Sequence, residues 1–302
     1  MYRTMYYIVY PLLYAVSLLP WKLIYFLSDL FYVLIYYIIG YRRKVVRDNL
    51  LMAFPEKTAA ERLRIEKDFY HQLMDTFIEI IKLISISEQE LNKRFVCNYE
   101  LLHELYETGQ SVQLHGGHFF NWEFVNLAYG ANIRYPFLGV YAPLSNKVFD
   151  RIIYNMRNRF KTILVPVSDF KTRFRHYAKG IYALALAADQ NPRRTQDAYW
   201  LYFMGKLTPF VPGPENGAKQ YNTAVVFATY YRVKRGYYAS ELKLYTTTPL
   251  DLPDGKITLG YRDFLETEIR KRPTNYLWSH RRWKWNYDPA VHSSKLLEKQ
   301  VN

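Results

Sequence analysis

The sequence predicts an α/β fold, a largely parallel sheet flanked by helices, with an N-terminal membrane-associated helical segment. Two observations carry this. From about Phe95 onward short apolar runs alternate with helical stretches, the pattern of strands joined by crossover helices. Before that, the first forty residues are strongly apolar and almost uncharged. Composition narrows the class further. Half of the 302 residues are apolar, which excludes a disordered tail protein. A net charge of +14 and an aromatic share of 18% suit an anionic membrane surface or nucleic acid. A single cysteine, Cys97, excludes an intramolecular disulfide framework and a cysteine-based zinc ribbon.

Taken in order, residues 6–39 contain only two charges, Lys22 and Asp29. A membrane-crossing helix needs about 20 apolar residues. Residues 21–39 nearly qualify, but Asp29 in the middle would be costly in hydrocarbon. Pro11 and Pro20 are expected to break the run. The layout is not that of a secretory signal. The alternative is a buried helical hairpin. Arg42, Arg43, Lys44 and Arg47 follow at once and predict a cytoplasmic flank against anionic headgroups. The organisation expected is therefore an anchor over residues 1–40 and a cytoplasmic domain over 41–302.

Thr58 and Glu61 have capping-box spacing, and Phe69, Leu73, Phe77, Ile80 and Ile84 mark one apolar face of the helix they open. Ser87 and Glu90 start a second, short helix. Strands are expected at 111–114, 133–140, 162–167, 181–187 and 223–231. Helices are expected between them at 99–107, 121–129, 146–160, 170–179 and 213–220. Sites in such sheets gather at the carboxyl ends of strands. There the sequence places His115-Gly-Gly-His118-Phe-Phe-Asn-Trp-Glu123. Gly116 and Gly117 allow close backbone approach. If His118 lies in the turn before the helix, Glu123 can hydrogen-bond one ring nitrogen and raise the basicity of the other. That yields a general base for a hydroxyl proton. His115 and His118 lack further ligands at helical spacing, so no metal is expected.

Spacing alone is weak in a chain with 7 His and 27 acidic residues, but the surrounding blocks are specific. GGHFFNWE resembles the active-site block of the lipid A biosynthesis acyltransferases, the lauroyl/myristoyl family of late acyltransferases within the wider lysophospholipid and glycerolipid acyltransferase group. YRRKVVRDNLLMAFPEK (41–57), FYHQLMDTFIEIIKL (69–83), GVYAPLSNKVFDRIIYNMRNRF (139–160), AADQNP (187–192) and LWSHRRWK (277–284) resemble further family blocks in the right order. The resemblance implies a glycerolipid-acyltransferase-like fold at the inner membrane, with the domain on the cytoplasmic side. It implies acyl transfer from acyl carrier protein to a hydroxyl of a lipid A precursor in lipopolysaccharide biosynthesis, without a cofactor. In that reading His118 is the base, Glu123 orients it, and Arg157, Arg159 and Asp189 bind substrate. Where family members often carry Tyr-Arg-Pro, this chain has Tyr141-Ala142-Pro143. That departure leaves another glycolipid or aminolipid acceptor as an alternative.

Acyl transfer develops an oxyanion that needs donors, and backbone N–H groups near 117–119 are expected to supply them. No G-x-S-x-G nucleophile elbow is present, which favours direct attack by the acceptor hydroxyl. Residues 147–179 hold nine basic and two acidic side chains, a field that would draw lipid phosphates or an acidic carrier protein. The segment from His280 to Trp285 could lie on a membrane or stack internally. A non-enzymatic membrane-surface or nucleic-acid-binding module is the remaining reading. No nucleic-acid-binding motif supports it, and a nucleic-acid partner is not expected.

Overall fold

The computed structural model describes residues 2–297. Helices α1 (Tyr2–Ser17) and α2 (Trp21–Tyr32) come first, and α2 continues as a π-helix over Val33–Ile39. Helices α3 (Arg43–Ala53), α4 (Ala59–Leu83) and α5 (Glu88–Arg94) follow. The chain then alternates: β1 (Phe95–Cys97), α6 (Glu100–Glu107), β2 (Val112–Gly116), α7 (Trp122–Asn132), β3 (Phe137–Tyr141), α8 (Lys147–Arg157), β4 (Ile163–Pro166), α9 (Phe170–Tyr177) and β5 (Ala183–Ala187). A hairpin of β6 (Tyr199–Phe203) and β7 (Lys206–Phe210) stands apart from the main sheet. Then come α10 (Gly213–Gln220), β8 (Ala224–Lys234), β9 (Tyr237–Thr246) and α11 (Lys256–Lys271).

The main sheet has seven strands in the order β1-β9-β8-β2-β5-β3-β4. Every pairing is parallel except β8 with β9. All five expected strands and the five helices between them form, with ends shifted by a few residues. Strands β1, β6, β7 and β9 and helix α11 were not anticipated. The central strand β2 is buried along its whole length, and its neighbours β5 and β8 run in register with it (Gly116 opposite Ala187 and Ala228).

The N-terminal helices are part of this body. α1 lies against α4 and α8, and α2 against α4. Pro11 does not break α1, contrary to expectation. Packing on two helices and the stacked rings of Tyr6 and Tyr10 (5.4 Å) hold the turn in place of the missing hydrogen bond. Pro20 does separate α1 from α2. The stretch Trp21–Ile39 is long and apolar enough to cross a membrane. Yet Ile24, Ser28, Tyr32 and Tyr36, at four-residue spacing, are buried against the protein, while Leu23, Phe26, Leu30, Phe31, Leu34 and Ile38 are exposed.

Asp29 has a charged partner. It pairs with Arg235 at 2.5 Å, and Arg235 also grips Asp75 at 2.7 Å. Asp75 further accepts from Arg232 (2.9 Å) and from Ser28 (2.7 Å). Three arginines of the basic cluster that follows are also engaged internally. Arg43 and Arg47 share Glu66, at 3.1 and 2.8 Å, and Arg42 donates to the Ser279 carbonyl at 2.9 Å.

Thr58 and Glu61 form the expected capping box, and Ser87 caps α5. The apolar face predicted for α4 needs correction: Phe77 is exposed, whereas Asp75, Thr76 and Glu79 are buried. α4 sits between the N-terminal helices and the sheet, so it buries polar positions as well as apolar ones. In the C-terminal block, Arg282 is 1% exposed, over the Phe210 ring at 4.4 Å and donating to the Pro209 carbonyl at 2.9 Å. The segment therefore stacks internally. Asp75 fastens α2 to the β8–β9 turn, so Asp75→Ala should cost about 3 kcal/mol in stability by leaving two guanidinium groups without their shared partner. Guanidinium-induced unfolding in detergent measures this, and a change below about 1 kcal/mol would place the ion pairs among weak surface contacts.

Candidate active site

β2 ends at Gly116, and β5, its in-register neighbour, ends at Ala187. Two residues beyond each end stand His118 and Asp189. Equal offsets on adjacent parallel strands bring the two side chains together at the carboxyl edge of the sheet. Asp189 Oδ1 lies 2.6 Å from His118 Nδ1, and Asp189 Oδ2 accepts the His118 backbone N–H at 2.9 Å. The carboxylate is fully buried, while the imidazole keeps 28% of its side chain exposed. Asp189 thus fixes the ring through Nδ1–H and leaves Nε2 as the basic nitrogen. Burial opposes the imidazolium, but the Asp189 carboxylate outweighs it and holds the His118 pKa above the ordinary histidine value of 6.5. Burial also opposes the Asp189 charge, and His118 overrides it to hold that carboxyl below its usual range.

This corrects the expected pairing. The carboxylate hydrogen-bonded to His118 is Asp189, whereas Glu123 is bonded to Arg157. Glu123 opens α7 behind Asn121, whose Oδ1 accepts the Glu123 N–H at 3.0 Å. Its carboxylate is held by Arg157 through Nε (2.9 Å) and Nη2 (2.6 Å), and by the Trp122 indole at 3.0 Å. Burial works against the Arg157 charge, but the Glu123 carboxylate keeps its pKa above the usual arginine value. Arg159 is not brought to the site. It donates to the carbonyls of Leu83 (2.6 Å) and Ile86 (2.7 Å), closing the C-terminal end of α4.

The diglycine is pinned from below. Tyr261 donates to the Gly116 carbonyl at 2.6 Å and Tyr230 to the Gly117 carbonyl at 2.5 Å. A Cβ on Gly117 would stand 2.8 Å from Leu265 Cδ2 and 3.0 Å from the Phe119 ring, so a larger residue would have to push these side chains aside. Two of the backbone N–H groups expected to hold an oxyanion are already engaged: that of His118 by Asp189 and that of Phe119 by the Gly117 carbonyl at 2.8 Å. His115, on the opposite face of β2, packs between Phe227 and Tyr261 and is driven by burial to a pKa of about 3. Among the described residues no group of three or more His, Cys, Asp or Glu could hold a metal ion.

His118 opens onto a cavity of about 340 Å³ on the α7 face of the sheet. Gly116, Ala187 and Ala228 sit side by side in its lining, with Gly139 opposite Ala185 in the next row. Small residues on four adjacent strands leave a trough where larger side chains would fill the face. Leu114, Tyr129, Phe137 and Leu164 also line it, while Glu123, Arg157, Tyr141 and Ala142 join His118 among its polar and outer residues. Ala142, where the resemblance noted a departure, therefore borders this cavity.

Sequence comparison places most of the chain beside known proteins. The profile of the family described as bacterial lipid A biosynthesis acyltransferase matches residues 1–285. The chain is 22% identical over 249 residues to the lipid A biosynthesis palmitoleoyltransferase of Escherichia coli (strain K12), covering 80% of this chain and 79% of that one. It is also 22% identical over 249 residues to the lipid A biosynthesis acyltransferase of Shigella flexneri, with the same coverage.

The His118–Asp189 contact is directly measurable. In histidine-selective NMR titrations the wild-type His118 ring should titrate above 6.5, the unperturbed value. In Asp189→Asn only burial remains, and the titration should fall below 6.5. An unchanged titration would mean that Asp189 does not carry the shift.

Proposed function

The chain belongs to the bacterial lipid A biosynthesis acyltransferase family, and we propose that it moves a fatty acyl chain from an acyl carrier protein thioester to a hydroxyl of a lipid A precursor. The observation that carries this reading is the His118–Asp189 pair facing a cavity with a small-residue floor. In the proposed step, His118 Nε2 takes the proton of the acceptor hydroxyl as its oxygen bonds to the thioester carbonyl carbon. The tetrahedral intermediate collapses, the C–S bond breaks, and the thiolate leaves with the proton from His118. Asp189 steadies the imidazolium between the two transfers.

The oxyanion needs a donor, and Arg157 is the cation lining the cavity. Glu123 occupies its Nε and Nη2 and so aims the guanidinium, leaving Nη1 to the substrate. Glu123 then acts by holding Arg157, not by orienting His118. The acyl chain lies in the trough over Gly116, Ala187 and Gly139. Lys147, Lys161, Lys171, Arg175 and Lys179 are exposed, and they form the surface that attracts an acidic carrier protein.

The membrane reading rests on α1 and α2. The family is membrane-associated, and one apolar N-terminal helix is present. α2 has one face committed to α4 and the other rich in exposed apolar residues. That asymmetry supports a helix lying in the interface of the inner membrane rather than crossing it, with residues 41–302 on the cytoplasmic side. Its neighbour α1 packs on α8, whose last residue, Arg157, borders the cavity, so an acceptor lipid could enter from the leaflet.

Transfer from acyl-loaded carrier protein to a panel of hydroxylated lipid A precursors tests the reading. His118→Ala should lower kcat by about 10³-fold with the fold retained. Because the base must be unprotonated, wild-type kcat should fall as pH drops through a value above 6.5. Arg159→Ala should leave kcat within about twofold, since a capping contact acts on stability. A wild-type enzyme inactive with every such acceptor, or a fully active His118→Ala, would refute the assignment. Gly139→Leu, which fills the trough, should shift the preferred donor towards shorter acyl chains in competition between donors. Unaltered selectivity would put the chain elsewhere.

A further inference from the structure

Among the described residues, Glu79 is the most deeply buried carboxylate outside the active site, with no solvent exposure at all. Its three hydrogen-bond partners are neutral donors from three separate parts of the chain. Oε1 accepts from the Tyr25 hydroxyl at 2.8 Å. Oε2 accepts from the Tyr238 hydroxyl at 2.5 Å and from Asn121 Nδ2 at 3.0 Å. A buried carboxylate without a bonded cation is expensive to keep, and a carboxamide or an apolar side chain would fold more cheaply. Its retention asks what those three bonds accomplish.

The bonds run from the N-terminal helices to the site. Tyr25 belongs to α2, the helix with the exposed apolar face. Asn121 is the residue just before α7 and uses both ends of its amide: Nδ2 donates to Glu79, and Oδ1 accepts the Glu123 N–H at 3.0 Å. An acceptor on the Nδ2 side fixes which way the amide faces, and hence its cap on the helix. Asn121 lies three residues after His118 and two before Glu123, where the His118 loop enters α7. Space for the Tyr25 hydroxyl is reserved as well. A Cβ on Gly236 would stand 2.1 Å from it, and Gly236 has φ +76.

We propose that Glu79 is a positioning residue for acyl transfer, tying the membrane-facing helix α2 through Tyr25 to Asn121 and so setting the junction between the His118 loop and the first turn of α7, where Glu123 stands. This rests on the function proposed above. The titratable groups facing Glu79 are Tyr25 on α2, Asp75 on its own helix and Tyr238 on β9; Arg94 on α5 acts on Tyr25, and Arg232 on β8 acts on Tyr238. Burial raises the Glu79 pKa to about 7, Asp75 adds to the rise, and the three donors resist it. A protonated Glu79 would have to turn one oxygen from acceptor to donor. One of its bonds would then have to reverse and the others would lose the carboxylate's charge, so the tie should loosen below neutrality.

Hydrogen exchange of residues 117–124, on the full chain in detergent, reads the tie without needing turnover. Glu79→Gln imitates the protonated acid. At pH 8 it should lower protection of that segment by about tenfold or more, with the melting temperature close to wild type. At pH 6 wild type and Glu79→Gln should converge, which a merely structural role would not produce. Tyr25→Phe removes one hydroxyl from a partly exposed helix position and should loosen the same segment, so it carries the test if Glu79→Gln fails to fold. In the transfer assay at pH 8 both variants should lower kcat several-fold with KM unchanged. Wild-type protection in both variants at pH 8, or wild-type kcat in a folded Glu79→Gln, overturns the proposal. An inactive wild-type enzyme with the exchange pattern intact counts against the transfer reading and leaves the tie standing.

Discussion

The register between β2 and β5 is the constraint on which the site depends. Gly116 faces Ala187 across a parallel ladder, and each strand is followed by two residues before a chemical group appears. Parallel strands point the same way, so both groups emerge at one edge. A slip of one residue in that pairing would move His118 away from Asp189 and also turn the small-residue trough to the other face. Tyr230 and Tyr261 brace this arrangement by holding the carbonyls of Gly116 and Gly117. Their hydroxyls are anchored in β8 and α11, so the loop is fixed by elements on both sides of it.

The second organising feature is where the charges go. The chain carries +14, yet many of its cations are used inside the molecule. Arg157 meets Glu123, Arg235 joins Asp29 to Asp75, and Arg43 and Arg47 converge on Glu66. Buried pairs of this kind add little net stability, because desolvation offsets much of the attraction. What they do is set orientation. The Arg235 pairs bind α2 to the sheet, and the Arg157 pair points a cation into the cavity. Among the basic side chains left over, Lys147 on α8 and Lys171 and Arg175 on α9 are exposed.

Much of the fold was legible because alternation of apolar runs and amphipathic stretches is a local signal. The missed elements had signals too. Ile257, Tyr261, Leu265 and Ile269 in α11 recur at four-residue spacing and are all buried. The β6–β7 hairpin turns on Met204 and Gly205, both with positive φ, between two aromatic-rich runs. Phe77 was misassigned because periodicity cannot tell which side of α4 meets a polar network. The site was half legible. His118 stood out through the diglycine and its strand-end position. Its partner did not, because a five-residue spacing is visible in a sequence, whereas a contact across 71 residues exists only after two strands align. Glu123 and Arg157 were both singled out, but nothing in the chain order says that they bind each other. Arg159, two residues along, serves the end of α4 instead.

The central claim is that Asp189, rather than Glu123, works as one unit with His118. Double-mutant cycles on kcat/KM address it directly, pairing His118→Ala with Asp189→Asn and, separately, with Glu123→Gln. The account predicts strong non-additivity with Asp189, the double variant being scarcely slower than His118→Ala alone, and near-additive losses with Glu123. The reverse pattern, coupling to Glu123 and independence from Asp189, would contradict it.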